Sequence, residues 1–130
     1  MSQPRVNEQP SKPMHIAVPS LEYSYAELAD IYNQARVDYI VPMPMNARRM
    51  KEYVENYDVS LDMSLVAIAP DDKLTNGIGM LGWREGRGWI TRLGIIPSRR
   101  RRRTGQYLME QMLANARNAG AHLVQLEVIK

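Results

Sequence analysis

Five consecutive arginines, Arg99 to Arg103, stand between the apolar run "LGIIP" at 93–97 and an amphipathic stretch that opens with Thr104 and Gly105. Residue type and spacing there point to anion binding. Where a strand hands over to a helix, the first helical N–H groups have no backbone partner and carry the positive end of the helix dipole. The turn "PSRRRRRTG" surrounds such amides with guanidinium groups, which grip phosphate oxygens in bidentate fashion. A pyrophosphate suits this arrangement better than a lone carboxylate. The rival ligand is a polyanion such as RNA or DNA, for which the same run is a sequence-blind phosphate patch.

The remaining composition narrows the chemistry. Cysteine is absent from the 130 residues. That excludes thiolate nucleophiles, disulfides and cysteine-ligated zinc, and agrees with a reducing compartment. The two histidines, His15 and His122, are too isolated for a metal site and read as strand-edge residues. The net charge is +3 and the pI near 9.3, yet the arginine run alone carries five positive charges, more than the whole excess. The basicity is therefore local. No aromatic platform interleaves with it, which weighs against a nucleic-acid face. No window approaches the ~18 apolar residues of a membrane span, and the opening "MSQPRVNEQPSKP" lacks a signal peptide's apolar core. A cytoplasmic protein with neither membrane nor nucleic-acid partner is expected.

The elements that must position the turn follow from periodicity. Residues 1–13 are polar with three prolines, read as a flexible leader, and residues 14–130 as one domain. "HIAV" from His15 suits a first strand. Ser24 and Glu27 form a capping-box signature, with Leu28, Ile31, Tyr32 and Ala35 on one helical face behind it. Pro42 and Pro44 force an extended loop. Asn46 is placed to cap a second helix, whose apolar face is Met50, Tyr53, Val54 and Tyr57. "DMSLVAIAP", "IGMLGWREG" and "WITRLGIIP" then read as an antiparallel meander, with turns at "DDKLTNG" and around Gly86 and Gly88. A helix from Gly105 to Asn118 presents Leu108, Met109, Met112, Leu113 and Ala116 and stops at Gly120. "HLVQLEVIK" is a last strand, parallel to the fourth by the crossover rule. The order β, α, α, β, β, β, α, β predicts a mixed central sheet flanked by helices, an α/β (α+β) fold.

The run "LGIIPSRRRRRTGQYLMEQML" resembles the core motif of the GCN5-related N-acetyltransferase (GNAT) superfamily, in which a strand-ending proline leads into Gln/Arg-x-x-Gly-x-Gly/Ala. Pro97 falls on the proline, Arg100 on the motif arginine, Arg103 on the first glycine and Gly105 on the final Gly/Ala. The element order is similar too, over roughly residues 14–130. The resemblance implies an acyl-coenzyme A fold and an acetyl-coenzyme A cofactor. Main-chain amides and side chains of Arg100, Arg101, Arg102, Arg103, Thr104 and Gly105 would hold its pyrophosphate. Leu93, Gly94 and Ile95 would pair with its pantetheine arm like an added strand. The arginine at 103 departs from the family's usual glycine and bears on how closely phosphate can approach.

The resemblance also implies the reaction: acetyl transfer to a primary amine of a small molecule, peptide or protein. Such transfer needs an unprotonated amine, stabilisation of charge on the thioester carbonyl oxygen, and a proton for the leaving thiolate. "LEVIK" is similar to a Leu-Glu-Val stretch of bacterial ribosomal-protein N-terminal acetyltransferases whose glutamate is the base, so Glu127 is the implied catalytic residue, beside its plainer role as a solvent-facing carboxylate. Those relatives continue with an asparagine, a helix bearing a tyrosine acid and a closing hairpin. The domain is accordingly expected to be incomplete at its C-terminus, with an open last strand on which a homodimer could form. Glu85 sits on a hairpin tip, away from the thioester. Arg92 stands where several relatives carry an acid; it either faces an anionic acceptor or pairs with Glu85 or an aspartate. The loop Tyr39 to Asn46 would line the acceptor side. Two other functions stay open: a degenerate GNAT-fold module that binds coenzyme A or a partner without catalysis, and nucleic-acid binding through the arginine turn.

Overall fold

The protein is described here by a computed structural model covering residues 15–36, 44–98 and 103–126. Strand β1 (Ile16–Pro19) passes through one 3-10 turn, Ser20–Glu22, into helix α1 (Tyr25–Ala35). Ser24 Oγ accepts from the Glu27 N–H (3.1 Å) while Glu27 Oε1 accepts from the Ser24 N–H (2.8 Å), which completes the predicted capping box. Helix α2 (Ala47–Asn56) starts at Asn46, whose Oδ1 accepts from the Arg49 N–H. Asn33 ties the two helices together: its amide donates to the Met45 carbonyl (2.7 Å) and its oxygen accepts from the Met45 N–H (2.8 Å). Strands β2 (Leu65–Ile68), β3 (Thr75–Arg84) and β4 (Arg87–Ile95) follow, then helix α3 (Thr104–Asn118) and strand β5 (Leu123–Leu126).

The five strands form one mixed sheet in sequence order, antiparallel from β1 to β4 and parallel between β4 and β5. Helices α1 and α2 cover one face through Leu28, Ile31, Tyr32, Met50, Tyr53 and Val54, packed on Val66, Ile78 and Met80. Helix α3 covers the other through Leu108, Met112 and Ala116, packed on Leu65, Ala67, Leu81 and Ile90. Each fully buried leucine or methionine contributes roughly 1.5–3 kcal/mol to holding these layers together. Gly79 makes the second layer fit, since a Cβ there would stand 2.5 Å from the Met112 methyl.

Some elements differ from expectation. Strand β3 begins at Thr75, inside the segment read as a turn. Gly77 is drawn into the strand because a side chain there would stand 2.8 Å from the Gly94 carbonyl, and the side chain of Asn76 lies 3.0 Å from His15 Nδ1. His15 is thus buried beneath the sheet end rather than set on a strand edge. The β3–β4 turn is two residues, Glu85 and Gly86, both at positive φ as a type I′ hairpin requires, and Gly88 is already in β4. Tyr57 leaves the helical face it was assigned to: it caps α2 and is 54% exposed, its ring against Tyr53.

Candidate active site

Strand β4 ends in an edge whose main-chain groups face outward. The Ile96 N–H donates to the Asn76 carbonyl (2.9 Å), and the register pairs Gly77 with Ile95, Ile78 with Gly94, Gly79 with Leu93 and Met80 with Arg92. By the alternation of an antiparallel ladder, Arg92 and Gly94 bond to β3, while Leu93 and Ile95 turn their N–H and C=O groups to the opposite side. The described part of β5 pairs with Arg87–Ile90 and no further. Leu93 and Ile95 therefore offer the edge that an extended ligand could pair with. Gly94 does something else: a Cβ there would come within 2.8 Å of the Ala35 Cβ, so its bare Cα lets the end of α1 close on β4.

The edge leads to the start of α3. Ile95 and Thr104 meet over Gly77, where an added Cβ would lie 3.0 Å from Ile95 Cδ1 and 3.2 Å from Thr104 Cγ2. The first bond of the helix runs from the Tyr107 N–H to the Arg103 carbonyl, so the amides of Thr104, Gly105 and Gln106 have no intrahelical acceptor. Arg103 is the N-cap and adopts the left-handed conformation, φ 55° and ψ 31°, with no side-chain cap. That is a conformation glycine favours, at the position where the motif usually has glycine. Among the described residues, Thr104 is 1% exposed with its Oγ1 buried without a partner, and only Ile95 side-chain atoms, at 3.8 and 3.9 Å, lie near the space of a Cβ on Gly105. An orphan hydroxyl, free amides and an unobstructed backbone fit a phosphate group. Arg100, Arg101, Arg102 and Glu127 lie outside the described residues.

On the α1/α2 face, β4 carries a bulge. The register passes from Met80↔Arg92 to Leu81↔Ile90, which leaves Thr91 as the extra residue. Ile90 belongs to the α3-facing core, whereas Thr91 and Arg92 both approach Tyr53 on the opposite face. The Arg92 guanidinium lies 5.6 Å from the Tyr32 ring centroid and 5.3 Å from that of Tyr53. Arg36 stacks 5.3 Å from the Tyr32 ring and donates to its hydroxyl. Of the two roles expected for Arg92, pairing with Glu85 or an aspartate does not occur among the described residues, outside which Asp38 lies. The arginine of the hairpin that pairs is Arg84, with Asp58. Burial pushes the Tyr53 phenol up to about 12, against the opposing influence of the neighbouring Thr91 hydroxyl and Arg92 guanidinium.

The sequence matches the model of the acetyltransferase (GNAT) family over residues 26–130. The chain belongs to the GNAT acetyltransferase family. Among solved structures, a GCN5-related N-acetyltransferase from Sphaerobacter thermophilus is similar with a TM-score of 0.66 at 19% identity, over 88% of this chain and 36% of that one. Glucosamine-6-phosphate N-acetyltransferase from Arabidopsis thaliana gives 0.64 at 9% identity, over 90% of this chain and 84% of that one. N-acetylglutamate synthase from Neisseria gonorrhoeae, complexed with coenzyme A and N-acetyl-glutamate, gives 0.60 at 16%, over 85% and 24%. The chain thus spans about a third of the first of these proteins and a quarter of the last. At such identities the likeness is one of fold. No curated protein matches the chain in sequence.

Of the residues singled out in the sequence of this GNAT chain, the described ones, Leu93, Gly94, Ile95, Arg103, Thr104 and Gly105, sit together at the β4–α3 junction. Sequence reasoning did not assign Tyr32, Tyr53 and Thr91 to a site. The tyrosines fell within apolar helical stripes and were counted as core, which their burial bears out. A signal was present nonetheless: two hydroxyl-bearing rings on neighbouring helices, facing a strand that carries an arginine.

Proposed function

We propose that this GNAT chain catalyses acetyl transfer from acetyl-coenzyme A to a primary amine. The observation that carries the reading is the continuity of the outward-facing Leu93 and Ile95 main chain with the free amides and orphaned Thr104 hydroxyl at the start of α3. Leu93 and Ile95 would bond the pantetheine arm as a neighbouring strand, and the amides of Arg101 to Gly105 would receive the pyrophosphate, with the arginine side chains adding charge. Acetyl-coenzyme A supplies the acetyl group as a thioester. An outward-facing N–H of β4 would polarise the carbonyl, Glu127 would take the proton from the incoming ammonium, directly or through water, and the neutral amine would attack. The C–S bond then breaks and coenzyme A leaves as the thiol, taking up the proton the attacking nitrogen loses. The second reading, a coenzyme A-binding module without catalysis, is favoured by Arg92, a cation on the strand where several relatives carry an acid.

The test is a calorimetric titration of the chain with acetyl-coenzyme A, followed by a thiol-release assay with amines. Saturable one-to-one binding is expected. Gly105→Val should reduce affinity about a hundredfold or more, as expected for losing two charge-assisted bonds. It should leave the fold largely intact, since a Cβ at 105 meets only Ile95 side-chain atoms among the described residues, at 3.8 Å. Unchanged affinity would remove the junction from the site. Glu127→Gln should lower kcat more than cofactor affinity, and binding without turnover on any amine would leave the module reading.

A further inference from the structure

We propose that the acceptor amine carries a carboxylate, and that Arg92, Tyr53 and Thr91 bind it on the α1/α2 face of β4. This rests on the acetyltransferase reading and names the class of acceptor for that site.

Three observations converge. First, Arg92 has a charge with no counterion: among the described residues it forms no ion pair, and its Nε is buried without an acceptor. The Tyr32 and Tyr53 rings attract the cation through their π faces, but they do not take up its in-plane N–H groups. A planar carboxylate meets those donors two at a time. Second, the Tyr53 hydroxyl, on a residue 7% exposed, lies beside Thr91 and Arg92 and closes no hydrogen bond among the described residues. Its phenol stays protonated at neutral pH, so it is a donor awaiting an acceptor. Third, the bulge at Thr91 brings two consecutive side chains to the same face beside Tyr53. Arg92 itself is half-buried, so a ligand can reach it.

The position suits an acceptor. Arg92 immediately precedes Leu93, the first of the outward-facing edge residues, and lies three residues before Ile95. At ~3.3 Å per strand residue this is roughly 10 Å of backbone, within the combined reach of an arginine side chain and a small amino acid. Binding the carboxylate there would hold the amine of the same molecule on the acceptor side of the strand whose other surface meets α3.

The test has two arms on the full chain. In the first, nitrogen-15 NMR follows the Arg92 Nε–H resonance, identified by its loss in Arg92→Lys, while acetate replaces chloride at constant ionic strength. A saturable downfield shift with acetate is expected, weakened in Tyr53→Phe. No shift, or a larger and tighter response to inorganic phosphate, would overturn the proposal. In the second arm, kcat/KM is compared for amino acids and for their carboxamides, which differ only in the carboxylate. Arg92→Gln should lower it about ten- to a hundredfold for the acids and within about twofold for the amides. An equal loss for both would also overturn the proposal. If neither amine is acetylated, the acetyltransferase reading fails while the acetate titration still decides the anion site.

Discussion

The left-handed Arg103 allows backbone strain and phosphate binding to be separated by experiment. A side chain at φ 55° and ψ 31° carries a penalty of roughly 1–2 kcal/mol that glycine does not. Glycine in turn frees the unfolded chain, which offsets about 0.4–1 kcal/mol of that gain. Arg103→Gly should therefore stabilise the fold by about 0.5–1 kcal/mol, roughly a 2–5 °C rise in Tm. Arg103→Ala keeps a Cβ in the same conformation and should show no such rise. For acetyl-coenzyme A the expectation runs the other way. The guanidinium is exposed, so its interaction with a phosphate has the size of a surface ion pair, about 0.2–1 kcal/mol. Both variants should lose up to about fivefold in affinity, and the loss should shrink with added salt. Differential scanning calorimetry and isothermal titration on the two variants separate the effects. Equal stability for glycine and alanine, or a lower value for glycine, would refute the backbone argument. An affinity loss in the glycine variant alone would show that the Cβ, not the charge, matters to the ligand.

Two further outcomes are expected. Gly94→Ala places a Cβ 2.8 Å from that of Ala35 and should destabilise by about 1–3 kcal/mol, with Ala35→Gly relieving part of it; strictly additive denaturant-unfolding energies in the double-mutant cycle would refute the close approach of α1 to β4. Because burial raises the Tyr53 phenol from 10 to about 12, the folded state favours its neutral form. That contribution is fully present below pH 10 and is lost as pH climbs towards 12, by roughly 2–3 kcal/mol at the far end. Thermal unfolding between pH 8 and 11.5 should show a shallower alkaline loss in Tyr53→Phe, shallower rather than absent because burial also raises Tyr23 and Tyr107. A parallel decline in both proteins would refute it.

Much of the fold was legible because local chemistry and tertiary packing agree. Ser24 with Glu27, and Asn46 ahead of its amphipathic run, specify helix starts through bonds that form within one turn. The stripe of Leu108, Met112 and Ala116 matches a face that is buried outright. Errors fell where a long-range contact overrode a local preference. "TNG" reads as turn, but Gly77 accommodates the Gly94 carbonyl, and Asn76 reaches a residue sixty-one positions away. Tyr57 has the right spacing for the core, yet α2 ends at Asn56 and its ring passes to the surface.

The site divides in the same way, and the division has a physical cause. The β4–α3 junction is written in consecutive residues, because an anion site at a helix start uses main-chain groups that any sequence with a strand, a turn and a helix provides. The α1/α2 face is assembled from three elements. Its geometry depends on Thr91 being an extra residue in β4, a property of the pairing with β3 rather than of β4 alone. With regular alternation continued from Ile90, Thr91 would face α1 and α2 while Arg92 would turn to the α3 side. The bulge instead sets the half-buried Arg92 cation on the same face as Thr91 and against the Tyr32 and Tyr53 rings. Among the described residues no carboxylate meets this cation, which is why the arginine on β4 points to the charge of the acceptor.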